Sequence, residues 1–139
     1  MKVDMECSLS SDEQAVARQP LVLVVDDNED NLSLLAFLVE QLDCTIITAI
    51  DGKTALDLVE SHQPSLILLD MMLPDLDGLE VLSRIRQNPV NVKIPVIAVT
   101  AMARAQDRER ILSAGCNEYV TKPYNVDEIE ALMRRYLSQ

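Results

Sequence analysis

Aromatic residues are scarce in this chain. Three Tyr, one Phe and no Trp make up 3% of its 139 residues. A hydrophobic core must therefore be assembled from Leu, Ile, Val, Ala and Met. Glycine is scarcer still, at three, which leaves little material for a glycine-rich phosphate loop. The three cysteines, Cys7, Cys44 and Cys116, are an odd number at no metal-ligand spacing. They read as reduced thiols, two of them packed as small hydrophobes. No apolar run at the N-terminus resembles a signal peptide, and none elsewhere reaches the roughly 18 residues a membrane span needs. Basic residues are outnumbered by acids, 12 against 23, for a formal net charge of −11. Such a surface repels nucleic-acid phosphates and anionic lipid heads. The expectation is a cytoplasmic protein with no direct nucleic-acid binding and no membrane contact.

Apolar residues are plentiful, at 48%. Each fully buried Leu, Ile or Val contributes roughly 1.5–3 kcal/mol before conformational entropy is charged against it. The length fits one ordinary domain with a short tail. Residues 1–19 are mixed polar and read as a flexible or loosely helical extension, with the domain running from 20 to 139. From Leu21 a unit recurs: a continuous apolar run of strand length closed by a polar residue, then a segment with apolar residues at a 3.6 period. The apolar runs are LVLVVD (21–26), CTIITA (44–49), SLILLD (65–70), KIPVIAVT (93–100) and NEYV (117–120). Runs of this kind suit strands buried on both faces, while the more polar second run suits a sheet edge.

The intervening helices carry their own start and stop signals. Asn28 and Asp77 stand where caps are needed, and Asp51-Gly52 turns the chain into the second helix. Asn125 and Glu128 have capping-box spacing, and Gly115 is placed to end the helix expected over 103–114. The second helix aligns Ala55, Leu58, Val59 and His62, so His62 reads as structural or partly solvated rather than reactive. Five strands alternating with five helices predict an α/β fold. Its doubly wound parallel sheet takes the order 2-1-3-4-5, which is flavodoxin-like.

In such a sheet, ligands gather outside the carboxyl ends of the strands. Here those ends carry Asp26 and Asp27, Asp70, Thr100, and Lys122 followed by Pro123. The 2-1-3-4-5 order makes strands 1, 3, 4 and 5 successive neighbours, so acids, hydroxyl and amine converge on one rim. Two carboxylates about 4 Å apart repel by roughly 4 kcal/mol at an effective dielectric near 20. Lys122 alone does not neutralise three acids. A hard divalent ion completes the balance, and Mg2+ suits a few carboxylates with waters and a phosphoryl oxygen. With a metal present, a carboxylate can attack phosphorus, the lysine can offset phosphoryl charge, and Thr100 can donate a hydrogen bond. An end-of-strand acid can also simply cap the next helix, a reading that applies to Asp26 or Asp27 taken alone but not to the whole set.

These residues resemble the receiver domain of two-component response regulators, over about residues 20–138. VVDDNEDN is similar to that family's acidic pair and LLDMMLPDLDG to its phosphoacceptor loop. AVTA is similar to its hydroxyl step, and EYVTKP to its lysine–proline step. The resemblance implies phosphotransfer to Asp70 from a histidine kinase or histidine phosphotransfer protein. Mg2+ would be held by Asp27, Asp70 and the Met72 backbone carbonyl, with Asp26 acting mostly through a metal-bound water. It further implies a cis peptide bond between Lys122 and Pro123. Phosphorylation would draw Thr100 inward and let Tyr119 change rotamer, remodelling the face of the fourth helix, fifth strand and fifth helix for an unknown protein target. Ala101, Pro123, Met72 and Met102 would flank the phosphoryl group; the family does not fix the two methionines, which read either as loop packing or as bulk that hinders the hydrolytic water. The charged run RAQDRER reads as a solvated helix face that also lies on that partner surface.

No effector domain follows Gln139, so output is expected to run through protein contacts. The only catalysis expected is of the protein's own phosphorylation and dephosphorylation. A hydrolase of the haloacid-dehalogenase type also uses a strand-end Asp with Mg2+, but its acid pair would follow the first strand and include the nucleophile. Met71 and Met72 follow Asp70 instead. A flavodoxin-like cofactor binder would need a phosphate loop after the first strand, where acids stand.

Overall fold

The computed structural model describes residues 19–101 and 104–138. The extension with Cys7, Met102, the expected helix start at 103, and Gln139 lie outside these residues. Five parallel strands form one sheet: β1 (Leu21–Val25), β2 (Thr45–Ala49), β3 (Leu66–Asp70), β4 (Val96–Thr100) and β5 (Glu118–Thr121). Their order is β2-β1-β3-β4-β5, as the sequence pattern predicts. Between and after them run α1 (Glu29–Gln41), α2 (Gly52–His62), α3 (Gly78–Gln87), α4 (Ala105–Ser113) and α5 (Val126–Leu137).

The alternation of side chains along each strand divides the core in two. Leu23, Val25, Ile67, Leu69, Val96 and Ala98 face one way and pack with residues of α2, α3 and α4, among them Val59, Leu82 and Ile111. Val22, Val24, Leu66, Leu68, Ile97 and Val99 face the other way, onto Leu35 and Val39 of α1 and Ile129 and Met133 of α5. Strands β3 and β4 are buried at every position, whereas β2 is mostly exposed or half-buried. That contrast is why β2 reads from sequence as an edge.

Local chemistry sets the helix ends. The Asn28 side chain accepts from the Asn31 N–H, Asp51 from Thr54, Asp77 from Leu79, and Asn125 from Asp127 and Glu128. Gly115 sits at φ +113°, a conformation that favours glycine, directly after α4. Cys44 and Cys116 are buried free thiols, as expected. No helix among the described residues is long and apolar enough to cross a membrane.

Three expectations shift. The fourth strand starts at Val96 rather than Lys93, because residues Pro89–Asn91 form a short 3-10 turn and the Ile94 N–H bonds back to Asn91. The fifth strand runs one residue later than expected, to Thr121. His62 does not share the buried face of Ala55 and Val59. It is the last residue of α2, exposed, with its ring Nδ1 2.8 Å from Ser61 Oγ, where the left-handed Gln63 (φ 48°) turns the chain away.

Candidate functional site

The three acids expected on the rim do meet. Asp26, Asp27 and Asp70 each offer a carboxylate oxygen, and these oxygens lie within 4.8 Å of one another. Asp26 follows β1, continuing its ladder through an N–H bond to the Ala49 carbonyl, and is buried. Asp70 ends β3 and is also buried, while Asp27 is exposed. Lys122 reaches across from the end of β5, its Nζ 3.1 Å from both Asp26 Oδ2 and Asp70 Oδ2.

Each buried carboxylate is oriented by its second oxygen as well. Asp70 Oδ1 accepts the Met72 N–H at 2.9 Å. Asp26 Oδ1 accepts the Asn28 N–H at 2.9 Å, and its Oδ2 also accepts the Asn31 side-chain amide at 3.2 Å. Asn31 was given no role from sequence. A signal existed, since it precedes Leu35 by four residues and so interrupts the apolar stripe of α1 with an amide.

Thr100 ends β4, fully buried. The Lys122 N–H donates to its carbonyl at 2.7 Å, which ties the hydroxyl-bearing and amine-bearing strand ends together. The Lys122–Pro123 bond is cis, as the family resemblance implies. Ala101 and Met72 are exposed beside the rim. Tyr119 is half-buried on β5, and its shielded hydroxyl has no hydrogen-bond partner among the described residues; the same holds for Tyr124. A cavity of about 490 Å3 opens beside Lys122, lined by Asn31, Leu34, Ala101, Lys122, Pro123 and Tyr124.

The electrostatics are unbalanced in one direction. Burial pushes the Asp70 carboxyl above the usual range, against the Met72 amide and Lys122, which pull it down, while Asp26 raises it further. Burial lowers the Lys122 ammonium, but its hydrogen bonds and charge contacts with Asp70 and Asp26 outweigh that and hold it above the ordinary lysine value. One ammonium thus serves two buried carboxylates, with a third acid at hand. The donors are all oxygens, and the cluster lacks positive charge. Both features fit a hard divalent cation such as Mg2+.

The sequence profile of the response regulator receiver domain matches residues 22–134. The chain belongs to the response regulator receiver family. The polar-differentiation response regulator DivK of Brucella anthropi is 41% identical over 116 residues, covering 84% of this chain and 94% of the relative. Among solved structures, the receiver domain of the sensor histidine kinase PA1611 from Pseudomonas aeruginosa matches with a TM-score of 0.79 at 31% identity. That match covers 88% of this chain and all of the other. That structure has a magnesium ion coordinated in the active-site cleft. The receiver domain of the Francisella response regulator 1452 matches with a TM-score of 0.80 at 30% identity, covering 86% of this chain and 97% of that one. A receiver is a signalling module of two-component systems and interacts with histidine kinases or phosphotransfer proteins. DivK-like relatives share the single-domain size of this receiver.

Proposed function

We propose that this receiver accepts a phosphoryl group on Asp70 from the phosphohistidine of a histidine kinase or phosphotransfer protein, in a Mg2+-dependent reaction in the cytoplasm. The observation that carries it is the sharing of Lys122 between Asp26 and Asp70, with Asp27 within 4.8 Å. The buried acids lack one positive charge, and a buried nucleophile faces the rim.

Asp26, Asp27, Asp70 and the Met72 backbone carbonyl are the proposed cation ligands, Asp26 in part through water. When bound, Mg2+ offsets negative charge on the phosphoryl oxygens. A carboxylate oxygen of Asp70 attacks phosphorus, forming an acyl phosphate P–O bond as the donor's P–N bond breaks. The imidazole leaves with the electron pair and takes up a proton. The Met72 N–H fixes one Asp70 oxygen and so directs which oxygen attacks. Lys122 is pre-positioned by Asp26 and keeps that partner when Asp70 becomes phosphorylated. Its charge then pairs with the phosphoryl group, and the Thr100 hydroxyl donates to one of the phosphoryl oxygens.

Tyr119 supplies the readout. A half-buried ring whose hydroxyl gains no hydrogen bond among the described residues is held weakly, so inward movement of Thr100 shifts its rotamer balance. The face of α4, β5 and α5 then changes for a protein target. Residues 1–19 are proposed to be an extension outside the receiver, and Met72, exposed beside Asp70, to shield the phosphoryl group from water. Intact mass after incubation with Mg2+ and acetyl phosphate tests the core of this reading. One added phosphate is expected, absent from Asp70→Asn and from samples with EDTA. No phosphate from either acetyl phosphate or a phosphorylated histidine kinase overturns it.

A further inference from the structure

The segment after Asp70 is pinned at its base. The Gly78 N–H donates to the Met71 carbonyl, Met72 bridges to Asp77, and Asp77 caps α3. Its tip is held differently, by one carboxylate that crosses to another helix. Asp75 Oδ1 accepts the Gly52 N–H at 2.7 Å, and Asp75 Oδ2 accepts the Lys53 N–H at 3.0 Å. Those are the first two amides of α2, which a helix cannot satisfy internally. Asp51 takes the third, from Thr54, at 2.8 Å. Two acids thus divide the start of α2, one local and one from 23 residues away.

The contact is close as well as polar. A Cβ added at Gly52 would stand 2.9 Å from Leu76 Cβ and 2.9 Å from Val81 Cγ2. Only a residue without a side chain lets the loop tip approach α2 this far. The Gly52 amide, with lesser help from Lys53 and Leu76, holds the Asp75 carboxyl below the usual range.

We propose that Asp75 is a positioning residue: by latching the tip of loop 71–77 onto the first turn of α2, it sets the backbone of Met72 against Asp70. The Met72 amide is the group that orients Asp70, and the Met72 carbonyl is a proposed cation ligand. Outer contacts of this kind change metal affinity by about 10–100-fold when removed. The cation readout rests on the function proposed above, whereas the loop readout does not.

The test uses the full chain and the variants Asp75→Ala, Asp75→Asn and Gly52→Ala. Two quantities are measured on folded protein: the exchange rate of the Met72 amide by NMR without metal, and the Mg2+ dissociation constant by calorimetry. Asp75→Ala and Gly52→Ala are expected to speed Met72 exchange and to weaken Mg2+ about tenfold. Asp75→Asn keeps one acceptor oxygen and falls between. If the variants melt earlier yet leave Met72 exchange and Mg2+ affinity at the wild-type values, Asp75 only caps α2 and the proposal is overturned. A wild type that takes up no Mg2+ sinks the functional reading instead, and the latch is then decided by Met72 exchange.

Discussion

Two cations at opposite ends of the sheet are treated in opposite ways. At the amino end, Arg86 on the last turn of α3 donates through Nε to the Gly115 carbonyl at 2.9 Å. Its Nη1 bonds the carbonyls of Asn91, Val92 and Ile94 at 3.1, 3.2 and 2.7 Å, and its Nη2 bonds the Asn117 side chain at 3.1 Å. All five acceptors are neutral, and all lie just before β4 or β5. At the carboxyl end, Lys122 has two anionic acceptors and both are buried. The arginine satisfies backbone that would otherwise be orphaned, so its charge does structural work. The lysine leaves negative charge uncompensated, which favours a bound cation at a cost in stability. The fold places a neutral bonding cluster at one end and the proposed reactive site at the other.

The largest expected effect breaks the rim and spares the base. Asp70→Asn removes the proposed nucleophile, so phosphorylation by acetyl phosphate should vanish entirely while the circular dichroism spectrum stays that of the wild type. Arg86→Ala should do the converse. It strips hydrogen bonds from four backbone carbonyls and the Asn117 side chain, and its cost in denaturant unfolding is about 3 kcal/mol. Phosphorylation of the folded fraction should persist. If Arg86→Ala abolished phosphorylation at temperatures where the protein is folded, the two ends would not be separable in this way.

A smaller effect sharpens the contrast at the rim. Burial raises the Asp70 carboxyl, so the folded state carries this group at a cost once pH exceeds its folded value. Without Mg2+ at neutral pH, Asp70→Asn should therefore be the more stable protein, by about 1 kcal/mol. Adding Mg2+ to ten times its dissociation constant should stabilise the wild type by about 1.4 kcal/mol and the variant by much less. Thermal melts with and without Mg2+ read both differences. Equal responses would mean that Asp70 takes no part in holding the cation.

Most of the frame was legible because its signals are local. Apolar runs of strand length, caps at Asn28, Asp77 and Asn125, and Gly115 after α4 each act within a few residues. The rim residues were legible because a parallel sheet makes strand ends converge, so position in sequence stands for position in space. What stayed hidden depends on contacts between distant segments. Asp75 reads as an ordinary loop acid until α2 is seen against it. Arg86 reads as one more charge on an exposed helix until the chain before β4 and the turn before β5 fold beneath it. His62 failed for the reverse reason, since helical periodicity alone does not say where the sheet stops.

The smallest effect tests the base through Cys116, which is buried beside Arg86. Burial pushes its thiol up to about 11, against the pull of the Arg86 charge. The ordinary value for the unfolded chain is 9.0. Between those two values the folded state holds a proton that the unfolded chain has released, so stability is lost as pH rises. From about pH 8 to pH 9.5 the loss assignable to this group is a little under 1 kcal/mol. Cys44 and Tyr124 are also raised by burial and add to the slope in the same direction. The informative quantity is therefore the difference in slope between wild type and Cys116→Ala, measured by denaturant unfolding across that range. The wild type should lose more stability than the variant. Parallel slopes would mean that the Arg86 end admits enough water to ionise the thiol, and that the closed end of the sheet is less dry than its bonding implies.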